Sequence, residues 1–386
     1  MLKILLLDMD GTLLTPRGYH LALQETVAFT GRALGYRNVQ LTPIDITAFE
    51  SAGVISEWDS AAICAAIMLD NLFLKNLNST LPLALPSQFP PSHNNPPPNF
   101  RAFVHLLDNA ALHHLHPLER ARRLFLNVAN DRTPDQIQAL FNILDTARQM
   151  DGSFTHRVFQ ELVLGSETFE RTYNIPTVFN VESYLLTFDR PNITVETRNS
   201  LQAWLQEENY HAVIFTGRPS RSPGKMWSVP EAELGAQCVG LETLPIAGWG
   251  GILWLSAQCD CDPLTLLKPA PIHALVGLRL ALGDPLETAL EKSAAFVFDG
   301  SVDRSWEPLQ GSQVFVVEDT AAGVKSLLHA QHILQDMGIQ ISVFPIGVTD
   351  NVSKRDALEG VGATVFDDFS AALALCLNPD QFSSIS

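Results

Sequence analysis

At 386 residues the chain exceeds an ordinary single domain, and an apolar content of 46% suffices for a large core or for two. With 42 acidic residues against 25 basic ones, the formal charge of -17 repels nucleic-acid phosphates and anionic membrane surfaces, so neither is an expected partner. Five cysteines, Cys64, Cys238, Cys259, Cys261 and Cys376, are odd in number and scattered, which suits a reducing, cytoplasmic setting better than a disulfide framework.

The first element is the aliphatic run Ile4-Leu5-Leu6-Leu7, which reads as a strand buried on both faces of a parallel sheet. Asp8 interrupts it, so the run is neither a signal-peptide core nor a membrane span. Gly11 permits a sharp turn, which puts Asp8 at a strand's carboxyl end, where open α/β sheets bind ligands. Asp10 stands two residues further on. Carboxylates so close raise each other's pKa unless a positive charge is held beside them, so the pair points to chemistry or a metal.

From about Tyr19 the periodicity turns helical, with Leu23, Val27 and Leu34 on one face, and Trp58 to Leu74 repeats it. A proline-rich loop at 78–99 carries seven prolines between Pro82 and Pro98, which excludes helix and central strand. Helical patterns resume over 103–107, 118–128, 134–150 and 154–164, with Thr133-Pro134 as a helix start. His113, His114 and His116 cluster locally and read as a solvated loop, because ordered metal sites recruit ligands from separate elements. Cys259-Asp260-Cys261 lacks a matching ligand pair and reads as an exposed loop.

Beyond a helix at 197–208, short aliphatic runs and helices alternate. The runs are His211 to Phe215, Ala295 to Phe298, Val314 to Val317 and Ser342 to Val348, and helices follow Lys268 and Thr320. This alternation predicts a doubly wound parallel (Rossmann-like) α/β sheet made from 1–16 plus 195–386, with a mostly α-helical domain inserted at 17–194.

Four sites read as strand ends carry reactive groups: DMDGT at Asp8 to Thr12, FTGR at Phe215 to Arg218, LLKP at Leu266 to Pro269, and VVEDTAAG at Val317 to Gly323. In order and type they resemble the four motifs of the haloacid dehalogenase-like superfamily of hydrolases, in its phosphatase and phosphomutase branch. The resemblance spans about 1–16 and 195–378 and says little about the middle, beyond implying that the helical domain at 17–194 is a cap domain. It implies that Asp8 is a nucleophile forming a phospho-aspartate, and that Asp10 protonates the leaving alcohol and later deprotonates water. It further implies that Thr216 and the Gly217 amide hold a phosphate oxygen, and that Lys268 keeps Asp8 ionised and stabilises the transferring phosphoryl group. Thr12 and Arg218 border the motifs and join Gly217 as substrate contacts, whereas Arg17 and Arg221 read as solvated. Mg²⁺ would be held by Asp8, Asp10 through its backbone carbonyl, Glu318 and Asp319, which would offset the repulsion of the acidic pair.

One departure stands inside the pattern. The interval from Lys268 to Asp319 is long and contains FVFDGSVDRS, where Asp299 and Asp303 mimic an acidic strand end. Glu318 and Asp319 are preferred, because TAAGVKSLL then reads as the following helix; Asp299 and Asp303 would belong to an inserted loop or extra strand within 299–312. The expected function is hydrolysis of a small phosphorylated metabolite. Asp10 argues against dehalogenation, since halide leaves unprotonated. A sugar phosphomutase of the β-phosphoglucomutase type and a non-catalytic phospho-ligand binding protein remain as alternatives.

Overall fold

A computed structural model of the chain describes residues 1–77, 79–81, 89–92, 94, 96–112, 115–127, 131–224, 229–300 and 303–378. Much of the proline-rich stretch, together with His113 and His114, lies outside the described residues. The chain divides into two compact units, Met1–Pro16 with Phe188–Ser386, and Arg17–Thr187.

The first unit is built on a six-stranded parallel sheet. Its strands are β1 (Lys3–Leu7), β4 (Tyr210–Phe215), β5 (Ile246–Ala247), β6 (Gln313–Glu318), β7 (Ser342–Val348) and β8 (Thr364–Phe366), in the order β5-β4-β1-β6-β7-β8. A separate two-stranded ribbon pairs β2 (Leu14–Thr15) antiparallel with β3 (Arg190–Pro191). Side chains alternate between faces with period two, and both faces are covered. Ile4, Leu6, Val213, Phe215, Val314 and Val316 pack with helices Pro271–Ala281, Leu286–Phe298 and Ala321–Asp336. Leu5, Leu7, Ala212, Ile214, Phe315 and Val317 pack on the other side with helices Val195–Trp204, Glu231–Val239 and Phe369–Leu377. Two-sided burial is why these strands are continuous aliphatic runs.

From β1 the chain winds outward through β4 and β5, then restarts at β6 on the opposite side and proceeds through β7 and β8. The winding direction therefore reverses between β1 and β6, which makes the carboxyl ends of these two strands the crevice where an open α/β sheet takes its ligand.

Three expectations are corrected here. The run Ala295 to Phe298 is the last turn of helix Leu286–Phe298, not a strand: only Phe296 is buried, its ring tilted against Trp306 with centroids 4.5 Å apart, while Phe298 is exposed. Asp299 consequently ends a helix, and Asp303 caps the 3-10 turn Arg304–Leu309 through the Ser305 amide at 2.8 Å. Lys268 lies on a loop and not at a strand end, because the 3-10 turn Pro263–Thr265, capped by Asp262, precedes it and Pro269 and Pro271 withhold ladder donors after it. The second unit boundary falls at 187/188 and not at 194/195, since β3 and Asn192 are tied to β2 and to the turn before it.

The second unit is helical: its longest helices are Gly18–Ala33 and Glu57–Leu74, followed by Phe100–Leu107, Pro117–Asn127, Pro134–Asp145, Phe154–Leu164 and Ser166–Tyr173. Helix Glu57–Leu74 is buried without interruption from Asp59 to Leu69, as its apolar circumference requires. Thr133 caps Pro134–Asp145 with a reciprocal Gln136 capping box. Buried Glu161 accepts the Val178 and Phe179 amides and pins that loop to helix Phe154–Leu164. Among the described residues no helix is long and apolar enough to cross a membrane.

The assignment of 286–298 to a helix has a measurable consequence. Phe296→Ala should cost about 3–5 kcal/mol in urea unfolding through lost burial against Trp306, whereas Phe298→Ala should stay within about 1 kcal/mol. Equal costs at the two positions would return the segment to a strand buried on both faces.

Candidate active site

Strand register assembles the site. Leu7 is opposite Ile214 on one side and Val317 on the other, so the residues just beyond, Asp8, Phe215 and Glu318, come level across three adjacent strands. The Asp8 amide continues the ladder to the Val317 carbonyl at 2.9 Å, and the chain then turns, with the Gly11 and Leu14 amides donating to Leu14 and Met9 carbonyls. Gly11 adopts φ +80°, and a Cβ there would lie 2.3 Å from the Asp319 carboxylate, so glycine is required both for the turn and for the approach of the acid. On the far side, a Cβ at Gly323 would fall 1.7 Å from Glu318 Oε1.

Lys268 reaches this point from its loop. Its ammonium donates to Asp8 Oδ1 at 2.7 Å, to the Phe215 carbonyl at 2.6 Å and to Glu318 Oε1 at 2.5 Å, which accounts for all three of its donors. It also lies 4.1 Å from the Phe215 ring centroid. The second Glu318 oxygen accepts the Thr320 hydroxyl at 3.1 Å.

Asp8, Glu318 and Asp319 are all buried, and one carboxylate oxygen from each lies within 4.8 Å of the others. Burial pushes the Asp8 carboxyl well above the usual range and the repulsion of Glu318 adds to it, while Lys268 pulls it back. Burial likewise raises Glu318 against the pull of Lys268, and Asp319 against the pull of Lys354. For Lys268 burial disfavours the charge, but Asp8 and Glu318 outweigh it and hold the ammonium above its ordinary value. One largely buried lysine thus serves a group of three carboxylates, and the half-exposed Lys354, whose ammonium sits on Asp319 Oδ2, is the second cation in contact with the group. The donors are oxygens only and their charge is under-compensated, which suits a hard divalent cation such as Mg²⁺. A cleft of about 450 Å³, lined by Gly11, Asn192, Asp319 and Lys354 among others, opens beside this cluster.

Not every residue singled out from the sequence joins the cluster. The Asp10 carboxylate is held by Arg218 and is not among the clustered donors. Arg218 is buried and spent on Asp10 and Asp189 instead of lining an open substrate pocket. Thr12 is fully buried and its hydroxyl meets no partner among the described residues; its carbonyl accepts Asn192 Nδ2 at 3.1 Å. Thr216 stands at the end of β4 with its Oγ1 accepting the Arg218 amide at 3.1 Å, leaving the hydroxyl proton to be donated. Gly217 is exposed. The expected set therefore divides: Asp8, Lys268, Glu318 and Asp319 converge, Thr216 and Gly217 stand at the adjoining strand end, and Asp10 with Arg218 forms a neighbouring ion pair.

Four contributors escaped the sequence reading: His273, Lys354, Asp189 and Asn192. His273 is fully buried, T-stacked on Phe215 at 4.6 Å, with Nε2 3.0 Å from the Ala247 carbonyl. That carbonyl only accepts, so Nε2 carries the proton and Nδ1 accepts the Lys268 amide at 3.4 Å. Burial and the nearby Lys268 charge lower its pKa to about 3. The spacing Lys-Pro-x-Pro-x-His was visible, but nothing in it marks the histidine as a brace.

No family model matches the chain, and no curated protein matches it. An X-ray structure of a Northeast Structural Genomics Consortium target is similar in fold, with a TM-score of 0.63 at 17% identity, over 99% of this chain and 100% of that one.

The neutral His273 links stability to pH. The unfolded histidine takes up a proton near 6.5 while the folded one resists until about 3, so stability contributed above 6.5 is lost as the pH falls. Urea unfolding of wild type and His273→Gln at about pH 7 and about pH 5 should show the wild-type advantage shrinking by about 2 kcal/mol on acidification. An unchanged difference would mean that the imidazole is protonated in the fold.

Proposed function

We propose that the chain is a Mg²⁺-dependent phosphatase of the haloacid dehalogenase-like superfamily, hydrolysing a small phosphorylated metabolite through a phospho-aspartate on Asp8. The observation that carries this reading is the shared ammonium: Lys268 bonds Asp8 and Glu318 at the carboxyl end of β1, where the winding of the sheet reverses. A structural lysine needs no second carboxylate, whereas a phosphoryl-transfer site needs positive charge at the point where a nucleophile meets an anion.

In this reading a carboxylate oxygen of Asp8 attacks phosphorus and the bond from phosphorus to the ester oxygen breaks. The leaving oxygen takes its proton from Asp10. Asp10 then removes a proton from water, the water oxygen attacks phosphorus, and the bond to Asp8 breaks to release phosphate. Lys268 opposes the charge that gathers on the transferring group. The Thr216 hydroxyl and the Gly217 amide are the donors for its outer oxygens, and the Phe215 carbonyl keeps the ammonium from tilting away. Asp8 and Asp319, with Glu318 beside them, would hold Mg²⁺, which supplies electrostatic polarisation of the phosphoryl group when bound. Uncatalysed monoester hydrolysis is so slow that these effects must together contribute on the order of 20 kcal/mol.

Two variants and a melting series test the proposal. With p-nitrophenyl phosphate and Mg²⁺, Asp8→Asn should abolish turnover; a fully active Asp8→Asn protein would sink the assignment. Mg²⁺ should raise the melting temperature, with a gain near 2.7 kcal/mol when free metal is about 100 times its dissociation constant. Asp319→Asn should blunt that gain and Asp299→Asn should leave it intact. Metal response controlled by Asp299 would place the acidic motif on the wrong segment.

A further inference from the structure

Asp10 is the one proposed reacting group with a large exposed fraction, 37% of its side chain, yet both its oxygens are claimed from behind. Arg218 Nε lies 2.9 and 2.8 Å from the two Asp10 oxygens, and Nη2 lies 2.5 Å from Oδ1. The same Nη2 donates at 3.0 Å to Asp189, whose side chain is completely buried. The guanidinium, 2% exposed, is thus shared between an outward carboxylate and an inward one.

The surroundings are shaped to keep it there. A Cβ at Gly235 would lie 3.1 Å from Arg218 Nη1 and 2.4 Å from Met9 Sδ, so helix Glu231–Val239 carries glycine where the guanidinium passes. The Arg218 carbonyl accepts the Trp249 amide at 3.0 Å. Asp189 directly precedes β3, and Asn192 just after it bonds the Thr12 carbonyl and accepts the Thr15 hydroxyl, which anchors this segment on the Asp8–Thr15 loop. A buried guanidinium requires a buried countercharge. If Asp10 alone supplied it, the acid would be tied up in neutralising Arg218; Asp189 carries that load from the rear.

We infer that Asp189 is a positioning residue for the acid/base Asp10, acting through Arg218; this rests on the phosphatase reading. In the first half-reaction a bond forms between Asp8 and phosphorus, the ester bond breaks, and the Asp10 proton passes to the leaving oxygen. An alkoxide leaves poorly without that proton. A p-nitrophenolate leaves with its electron pair unaided. Misplacing Asp10 therefore harms alkyl esters selectively, and kcat/KM isolates the step, since it includes only events through phosphorylation of Asp8.

The experiment compares kcat/KM for glycerol 2-phosphate and p-nitrophenyl phosphate, with Mg²⁺, in wild type and in Asp189→Asn, which is close to isosteric. The alkyl ester should lose about 10-fold or more, below the ~10²–10⁴ of removing a general acid outright, while the aryl ester stays within about threefold. The ratio of the two values does not depend on the fraction of protein correctly folded, so partial misfolding does not obscure it. An equal loss on both esters, or no loss on either, would overturn the inference while leaving the phosphatase reading intact. A wild-type protein that hydrolyses neither ester would refute that reading and the inference with it.

Discussion

The ammonium of Lys268 is the interaction on which the site depends. It is largely buried, and its three donors are divided among Asp8, Glu318 and the Phe215 carbonyl, contributed by three adjacent strands of the sheet. Removing it would leave buried carboxylates facing one another with no cation between them, an arrangement that burial alone already pushes toward protonation. The surrounding features serve this contact. Gly11 and Gly323 clear space for Asp319 and Glu318, and neutral His273 braces the loop from which the lysine extends.

The sheet explains why these groups can meet at all. Asp8 and Glu318 are 310 positions apart in sequence, yet the parallel register of β1 with β6 puts them level, one residue past the last paired position of β1. A slip of one residue in either strand would exchange its two faces and turn its aliphatic side chains out of the helical layers that cover them. Core packing therefore sets the geometry of the acids, and the chemistry inherits the precision of the hydrophobic layers.

What was legible in the sequence follows the same physics. Strands β1, β4, β6 and β7 announced themselves because two-sided burial demands aliphatic runs, and Asp8, Thr216 and Glu318 were found by looking where those runs stop. β5 and β8 went unseen because two or three residues are too few to carry a period. Ala295 to Phe298 misled for the opposite reason: four consecutive apolar residues look like a strand, but helical geometry buries Phe296 and exposes Phe298. Lys268 was identified through its motif and misplaced in its element. Asp189, Asn192, His273 and Lys354 could not be found by period or motif, since each acts through a partner far away in sequence: Arg218, the Thr12 carbonyl, the Ala247 carbonyl and Asp319.

The proposed phosphatase reaction requires that the carboxylate beside Lys268 become covalently phosphorylated during turnover. Acid quenching of the protein in steady state with p-nitrophenyl phosphate and Mg²⁺, followed by proteolysis and mass spectrometry, tests it most directly. One added phosphoryl group is expected on the peptide containing Asp8, lost on treatment with hydroxylamine as an acyl phosphate should be. Phosphate release with no modified peptide, or a phosphoryl group on any other residue, would contradict it.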